Sequence, residues 1–379
     1  MTALYDIAIL GATPAGCAAA YALATRKHRV VLVDAQAAAA ESPLADWAPK
    51  GFFGLAGLPR GLEAACGADS FSRVAYHNAD LNKVVEHTGR GAVGYFLQAG
   101  QLVAALKKAA TKAGAKVVST TQLPRITLRE DHAELAGDVA VRGKVLMIAM
   151  NRPRDVIGEL SLPVQNVPPS PMIAAALDVP LPAGKGKSSS SSSLKTLAGA
   201  MHVVENHERS DLGLLFQSGH ALHIRLISAS VASGTRAEEL SMMVHRLQRT
   251  GHLPADFPLG KARGAVWHPP AGVALELETH VAKRCLLVGT AGGFAESITG
   301  QTLYPSVRSA LMAAEIASSA LVKSRTQDEL MRFKTAWRKT LADYLRPPNT
   351  SLQMLLPLLF VNRQIVPKFT KALLLGENI

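Results

Sequence analysis

The run Tyr5 to Leu10 is almost wholly apolar and stops at a glycine, the pattern of a short strand buried on both faces of a parallel sheet. Small residues follow, Gly11-Ala12-Thr13-Pro14-Ala15-Gly16, and open an alanine-rich helix from Cys17 to about Thr25. A second strand, Arg29 to Val33, ends in Asp34. The stretches from there to Gly61 and on to Gly94 carry no clear period. From Gly100 the apolar positions Leu102, Leu106, Ala109 and Ala110 share one helical face up to Gly114, and a strand is expected at Lys116 to Ser119. Ile126 to Val141 alternates in short β-like runs, and Val145 to Ala149 reads as another buried strand.

The pattern then changes. From Asn151 to Val281 proline-rich loops separate strand-like runs at Ala200 to Val204, Leu212 to Phe216 and Ala221 to Ser230, with a helix expected over Arg236 to Thr250. Gly184 to Lys195 holds six consecutive serines, a composition too polar to order itself, and is expected to be a disordered surface loop. Arg284 to Val288 returns to the buried-strand pattern, followed by a second glycine-rich loop, Gly289 to Gly300, and a long helix from Tyr304 to Val322. Gln327 to Leu345 is helical, Pro347-Pro348 breaks it, and apolar stretches run on to the end. The expected fold is α/β: a discontinuous Rossmann-like domain of residues 1–150 plus 282–325, an inserted β-sheet substrate domain over 151–281, and a C-terminal helical segment, 326–379.

With 379 residues and 48% hydrophobic content the chain can bury a large core. A formal charge of +12 favours anionic partners, but aromatic residues are only 5% and no basic, stacking-rich helix exists, so no nucleic-acid partner is expected. Cys17, Cys66 and Cys285 are odd in number and far apart, which argues against a disulfide framework or zinc site and for a reducing, cytoplasmic setting. No secretory signal is read at the N-terminus. The greasy tract Met354 to Val361 is too short to span a bilayer, yet with Arg363, Lys368 and Lys371 beside it the segment Leu352 to Leu375 is expected to touch an anionic membrane surface.

The strand, glycine turn, helix, strand, acid order carries specific chemistry. Free N–H groups at a helix N-terminus hold a pyrophosphate, and a carboxylate after the second strand takes ribose hydroxyls. Thr13 stands where the middle glycine of G-x-G-x-x-G belongs. Gly89 to Gly94 spells the same motif without the strand and helix around it, and Gly186-Lys187-Ser188 mimics only the end of a P-loop. Cys17, at the helix start, reads as a packing residue rather than a nucleophile. His220 and His223 point to opposite faces of one strand, so no metal is expected. Tyr76 and His77 are read as packing or surface residues, and no catalytic residue is assigned.

Two segments together resemble the FAD-dependent oxidoreductases of glutathione-reductase-type fold, which include aromatic hydroxylases, flavin halogenases and geranylgeranyl reductases. Asp6 to Gly16, with its Pro14-Ala15 pair, resembles their ADP-binding turn, and Arg284 to Phe294 with Thr299-Gly300 resembles their second FAD motif. The isoprenoid reductases are the most similar. The resemblance implies that Gly11, Thr13, Pro14, Ala15 and Gly16 line the diphosphate and Asp34 the adenosine ribose. Gly289, Thr290, Ala291 and Gly292 would face the ribityl chain, with Thr299, Gly300 and Gln301 beside the flavin ring. It further implies hydride transfer through FAD to an apolar, isoprenoid-like substrate, with NAD(P)H as a transient donor. The sequence departs from the family at Thr290, where an aspartate is usual, at Met150-Asn151-Arg152 in place of an Asp-Gly turn, and at Leu214-Leu215-Phe216-Gln217, which keeps only the Phe of a Trp-x-Phe-Pro element. These departures leave open a flavin- or ligand-binding scaffold without catalysis. A first turn alone would also suit NAD, but the Gly289 loop has no purpose there.

Overall fold

The computed structural model describes residues 3–35, 44–150, 172–181, 197–206, 211–228, 236–257, 259–323, 325–347 and 352–377. The serine-rich loop, the P-loop mimic and the residues Asn151 and Arg152 lie outside them.

The first layer is an eight-stranded sheet whose centre is parallel: Cys285–Leu287, Val141–Ile148, Leu4–Leu10, Val30–Ala35 and Lys116–Thr120, in that spatial order. The inner four carry apolar runs, as strands covered on both sides must, while the outermost, Lys116–Thr120, is largely polar. Order reverses at the first strand, because the chain moves from it to one side and later returns on the other. In open parallel sheets such a switch point opens a crevice at the carboxyl ends of the strands. Helices Pro14–Thr25, Ala99–Lys112 and Leu303–Val322 cover one face, with Ala19, Leu23, Leu106, Val307 and Ala314 buried between them. The alanine-rich first helix lets the long helix approach closely.

The second layer is a seven-stranded sheet ordered Arg263–Trp267, Ile173–Pro180, Ala221–Ser228, Asp211–Ser218, Ala200–Asn206, Arg73–His77 and Val84–Thr88. Its last two strands come from the part of the chain whose period was unreadable, because they are short and lie at one edge. Val84–Thr88 is also a strand directly before the Gly89–Gly94 motif, and a further strand, Gly94–Gln98, follows, so that motif lies in a β–β connection with no helix to hold an anion. The outer face of this sheet packs helix Arg236–Arg249 through Leu240, Val244 and Leu247. The inner face meets a three-stranded sheet, Ala45–Pro49, Gly94–Gln98 and Asp69–Phe71, and the C-terminal helices Leu352–Val361 and Val366–Leu375. Leu356, Leu359, Phe369 and Leu373 join Trp47, Tyr76 and Phe96 in that core. No helix among the described residues is long and apolar enough to cross a membrane.

Candidate functional site

Four strand ends are knitted together at the crevice. The Gly11 amide donates to Val33 O at 2.8 Å, Ala149 N to Leu10 O at 2.8 Å, and Val288 N to Ile148 O at 2.9 Å. Gly11 has φ 109°, and a Cβ there would stand 2.8 Å from Ala149 O. A Cβ at Gly16 would stand 2.0 Å from Gly11 O, so both glycines are required by the turn itself. Pro14 opens the helix, where its missing N–H costs nothing. Cys17 is buried beneath, its thiol pushed up to about 12 by burial, which makes it inert packing.

Thr13 does two jobs. Its Oγ1 donates to Ala149 O at 2.6 Å and accepts from the Gly16 amide at 3.3 Å, so the residue replacing a glycine caps the helix with its own side chain. Thr290 behaves alike, donating to Met150 O at 3.0 Å. The two threonines therefore tie down consecutive carbonyls at the end of one central strand. Asp34 stands at the end of the second strand, where Lys107 Nζ lies 2.6 Å from its Oδ2. Both groups are partly exposed, so this pair is held loosely by solvent-screened charge.

Gly289 joins the two motifs. It has φ 60°, and a Cβ there would be 2.9 Å from that of Ala15, so the second loop lies directly on the start of the first helix. Its amide donates to Ser309 Oγ at 3.0 Å. Gly289 to Gly292 form one 3-10 turn in which Ala291 and Gly292 are buried. Thr299, Gly300 and Gln301 follow in a second turn toward the other layer. Gly300, at φ 67°, abuts Met172 and Pro269. Gln301 donates from Nε2 to Trp47 O at 2.8 Å and accepts from Tyr344 Oη at 3.2 Å.

Glu296 was invisible to motif reading and organises that second turn. It is buried, and its carboxylate accepts from Ile298 N at 2.5 Å, Thr299 N at 2.7 Å and Thr299 Oγ1 at 2.8 Å. Burial raises its pKa to about 7 against the lowering pull of these donors. An acid in a loop of otherwise small and apolar residues was the available signal. Nearby, Asp46 precedes Trp47 in the three-stranded sheet and accepts from Arg225 of the second layer at 3.1 Å. Tyr76 and His77 are buried packing residues, bonded to Thr370 and His202 respectively. His223 is bonded to Asp178 at 2.6 Å, and no metal-binding cluster occurs among the described residues.

No protein-family model matches the chain, and no curated protein matches it by sequence. Solved structures do match by shape. A geranylgeranyl bacteriochlorophyll reductase-like protein from Thermoplasma acidophilum aligns over 100% of this chain and 98% of its own, with a TM-score of 0.73 at 14% identity. PqsL from Pseudomonas aeruginosa, solved with 2-aminobenzoylacetate, aligns over 97% of this chain and 99% of its own, with a TM-score of 0.67 at 17% identity. A variant of halogenase PltM, solved with FAD, aligns over 89% of this chain and 74% of its own, with a TM-score of 0.64 at 15% identity. The chain thus has the two-layer fold of the FAD-dependent monooxygenases, halogenases and geranylgeranyl reductase-like proteins.

Proposed function

We propose that this protein binds FAD and uses it as an oxidoreductase on a small molecule held against the inner face of the second sheet. The observation that carries the reading is Gly289 lying on Ala15, which brings two glycine turns from distant parts of the chain over one crevice. The residues fit the cofactor. Gly11 and Gly16 let the turn fold tightly onto the helix N-terminus, Asp34 stands where the ribose hydroxyls would lie, and the Gly289–Gly292 turn packs on the start of the same helix.

When bound, the flavin would supply hydride chemistry. The chain itself binds, orients and excludes water. The Thr13 hydroxyl can rotate off Gly16 and let that amide meet a phosphate oxygen. Asp34 exchanges its Lys107 contact for hydroxyl groups. Glu296 fixes the Thr299 turn, and the apolar inner core around Trp47, Phe96 and Phe216 would form the dry wall against which a substrate is held. The donor is read as NAD(P)H arriving transiently. The substrate body is read as apolar, since the pocket wall is.

Protein purified with added FAD should be yellow, absorb near ~450 nm and bleach with dithionite, because the cofactor carries the chemistry. A protein that stays colourless through FAD titration removes the reading.

A further inference from the structure

The inner face of the second sheet carries a cation that its surroundings do not satisfy. In strand Ala221–Ser228 side chains alternate: Leu222, Ile224 and Leu226 join the outer core, and His223, Arg225 and Ile227 point inward. Arg225 is 4% exposed. Its Nη1 donates to Asp46, while Nε and Nη2 are buried with no hydrogen-bond partner among the described residues. Leaving guanidinium protons unmet in a dry core costs more than any packing they permit. The second acid nearby is already committed, since Asp178 takes His223 on one oxygen and the Leu44 amide on the other.

Geometry says what is missing. Nε and Nη2 form the side-on edge of a guanidinium, the edge that matches both oxygens of one carboxylate. The ring of Phe216 lies 5.1 Å and that of Trp267 5.9 Å from Arg225 Cζ, so aromatic faces support the group, and its Nε–Nη2 edge, closed to solvent here, is met by a carboxylate only where neighbouring side chains move aside. The cross-strand neighbour on one side is Ala176, followed by Ala265, both small. The position also adjoins the proposed flavin end, because Asp46 is bonded to Trp47, whose carbonyl takes Gln301.

We infer that Arg225 is a specificity residue that receives the carboxylate of the substrate in a side-on pair, so that the substrate is a small carboxylic acid with an apolar or aromatic body. This rests on the oxidoreductase reading for calling the ligand a substrate. Anchored by its carboxylate, such a molecule would turn its apolar body toward Trp47 and the Thr299–Gln301 turn.

The test is calorimetric titration of the full-length protein, with and without FAD, using benzoate, cinnamate and octanoate against benzamide, cinnamamide and octanamide. Charge-assisted pairing predicts at least about tenfold tighter binding for one or more acids than for the matched amide. Arg225→Met should erase that preference and Arg225→Lys should keep part of it, each variant first shown to melt cooperatively. If Arg225→Met does not fold, the lysine variant and the acid-to-amide ratio of the unaltered protein still decide. Equal affinity for acids and amides, no binding of any acid at millimolar concentration, or an unchanged ratio in either variant overturns the proposal. Acid preference in a protein that never binds FAD upholds the carboxylate site and removes the oxidoreductase reading instead.

Discussion

The two glycine loops close the same crevice but satisfy their own backbones by different means. In the first, a neutral hydroxyl holds the Gly16 amide at 3.3 Å, a long bond that a phosphate oxygen can replace with a stronger, charge-assisted one. In the second, a buried carboxylate holds two amides and a hydroxyl at 2.5 to 2.8 Å. Releasing Thr13 leaves only a hydroxyl to find another partner, whereas releasing Glu296 leaves a buried carboxyl group without its three donors. The nucleotide end is therefore adaptable, and the end toward the second layer is preset. A glycine-rich motif marks where the backbone comes close; it does not say whether its donors are vacant.

The largest way to break this contrast is steric. Gly16→Val should abolish FAD binding and cost about 3 kcal/mol or more, since its Cβ would meet Gly11 O at 2.0 Å of rigid backbone. Gly300→Ala meets the flexible end of Met172 at 2.7 Å but also the Pro269 ring at 2.8 Å, and should cost about 2 kcal/mol including its positive φ, less than the valine. Denaturant melts and flavin absorbance rank the two. Equal costs would mean that the atoms around Gly300 give way no more than the Gly11 carbonyl.

Next comes pH. The folded pKa of Glu296 is raised to about 7 from 4.5, so between those values the folded state keeps a proton that the unfolded state has lost. Its contribution is thus most favourable below about pH 4.5 and declines as pH rises through about 7, by on the order of 3 kcal/mol in all. Glu296→Gln should flatten that segment of the stability-against-pH curve. A slope unchanged by the substitution assigns it to other groups.

Thr13→Gly sharpens the contrast by moving two observables in opposite directions. Removing the cap and the bond to Ala149 O should lower stability by about 1 kcal/mol, while the freed Gly16 amide should tighten FAD by up to about tenfold. Fluorescence titration and a thermal melt report both, and loss of affinity together with stability would show that Thr13 aids the ligand directly. The smallest effect is expected away from both loops. Met354, Leu358 and Val361 are exposed on one side of the helix Leu352–Val361, whose Leu355, Leu356 and Leu359 are buried. Replacing the three exposed residues by serine should reduce sedimentation with phosphatidylserine vesicles by a few-fold and leave flavin binding unchanged. Unaltered sedimentation, or none to begin with, removes the membrane-surface proposal.

Much of the nucleotide layer was legible because its apolar runs and glycine turns carry their signals locally. The apolar strands, the Gly11 turn, the first helix and the Tyr304 helix lie within a few residues of their expected bounds. The site residues around Arg225 were not legible. A histidine and an arginine two apart in an apolar strand signalled an inward polar face, but period two cannot say which face looks inward or what stands opposite. Lys107 was hidden similarly, since nothing in a helix sequence shows that one lysine meets an acid 73 positions earlier.

By itself the sequence determined the α/β alternation, the positions of two glycine-rich backbone turns, and a composition able to bury a large core. These follow from local sterics and from hydrophobic period, which act over a few residues. The tertiary structure alone decided that Thr13 and Thr290 fasten consecutive carbonyls of one strand, that Glu296 occupies the second turn's donors, and that Arg225 keeps one edge unpaired. Those are matters of which polar groups meet in a dry interior, and such meetings are set by packing among distant segments rather than by neighbours along the chain.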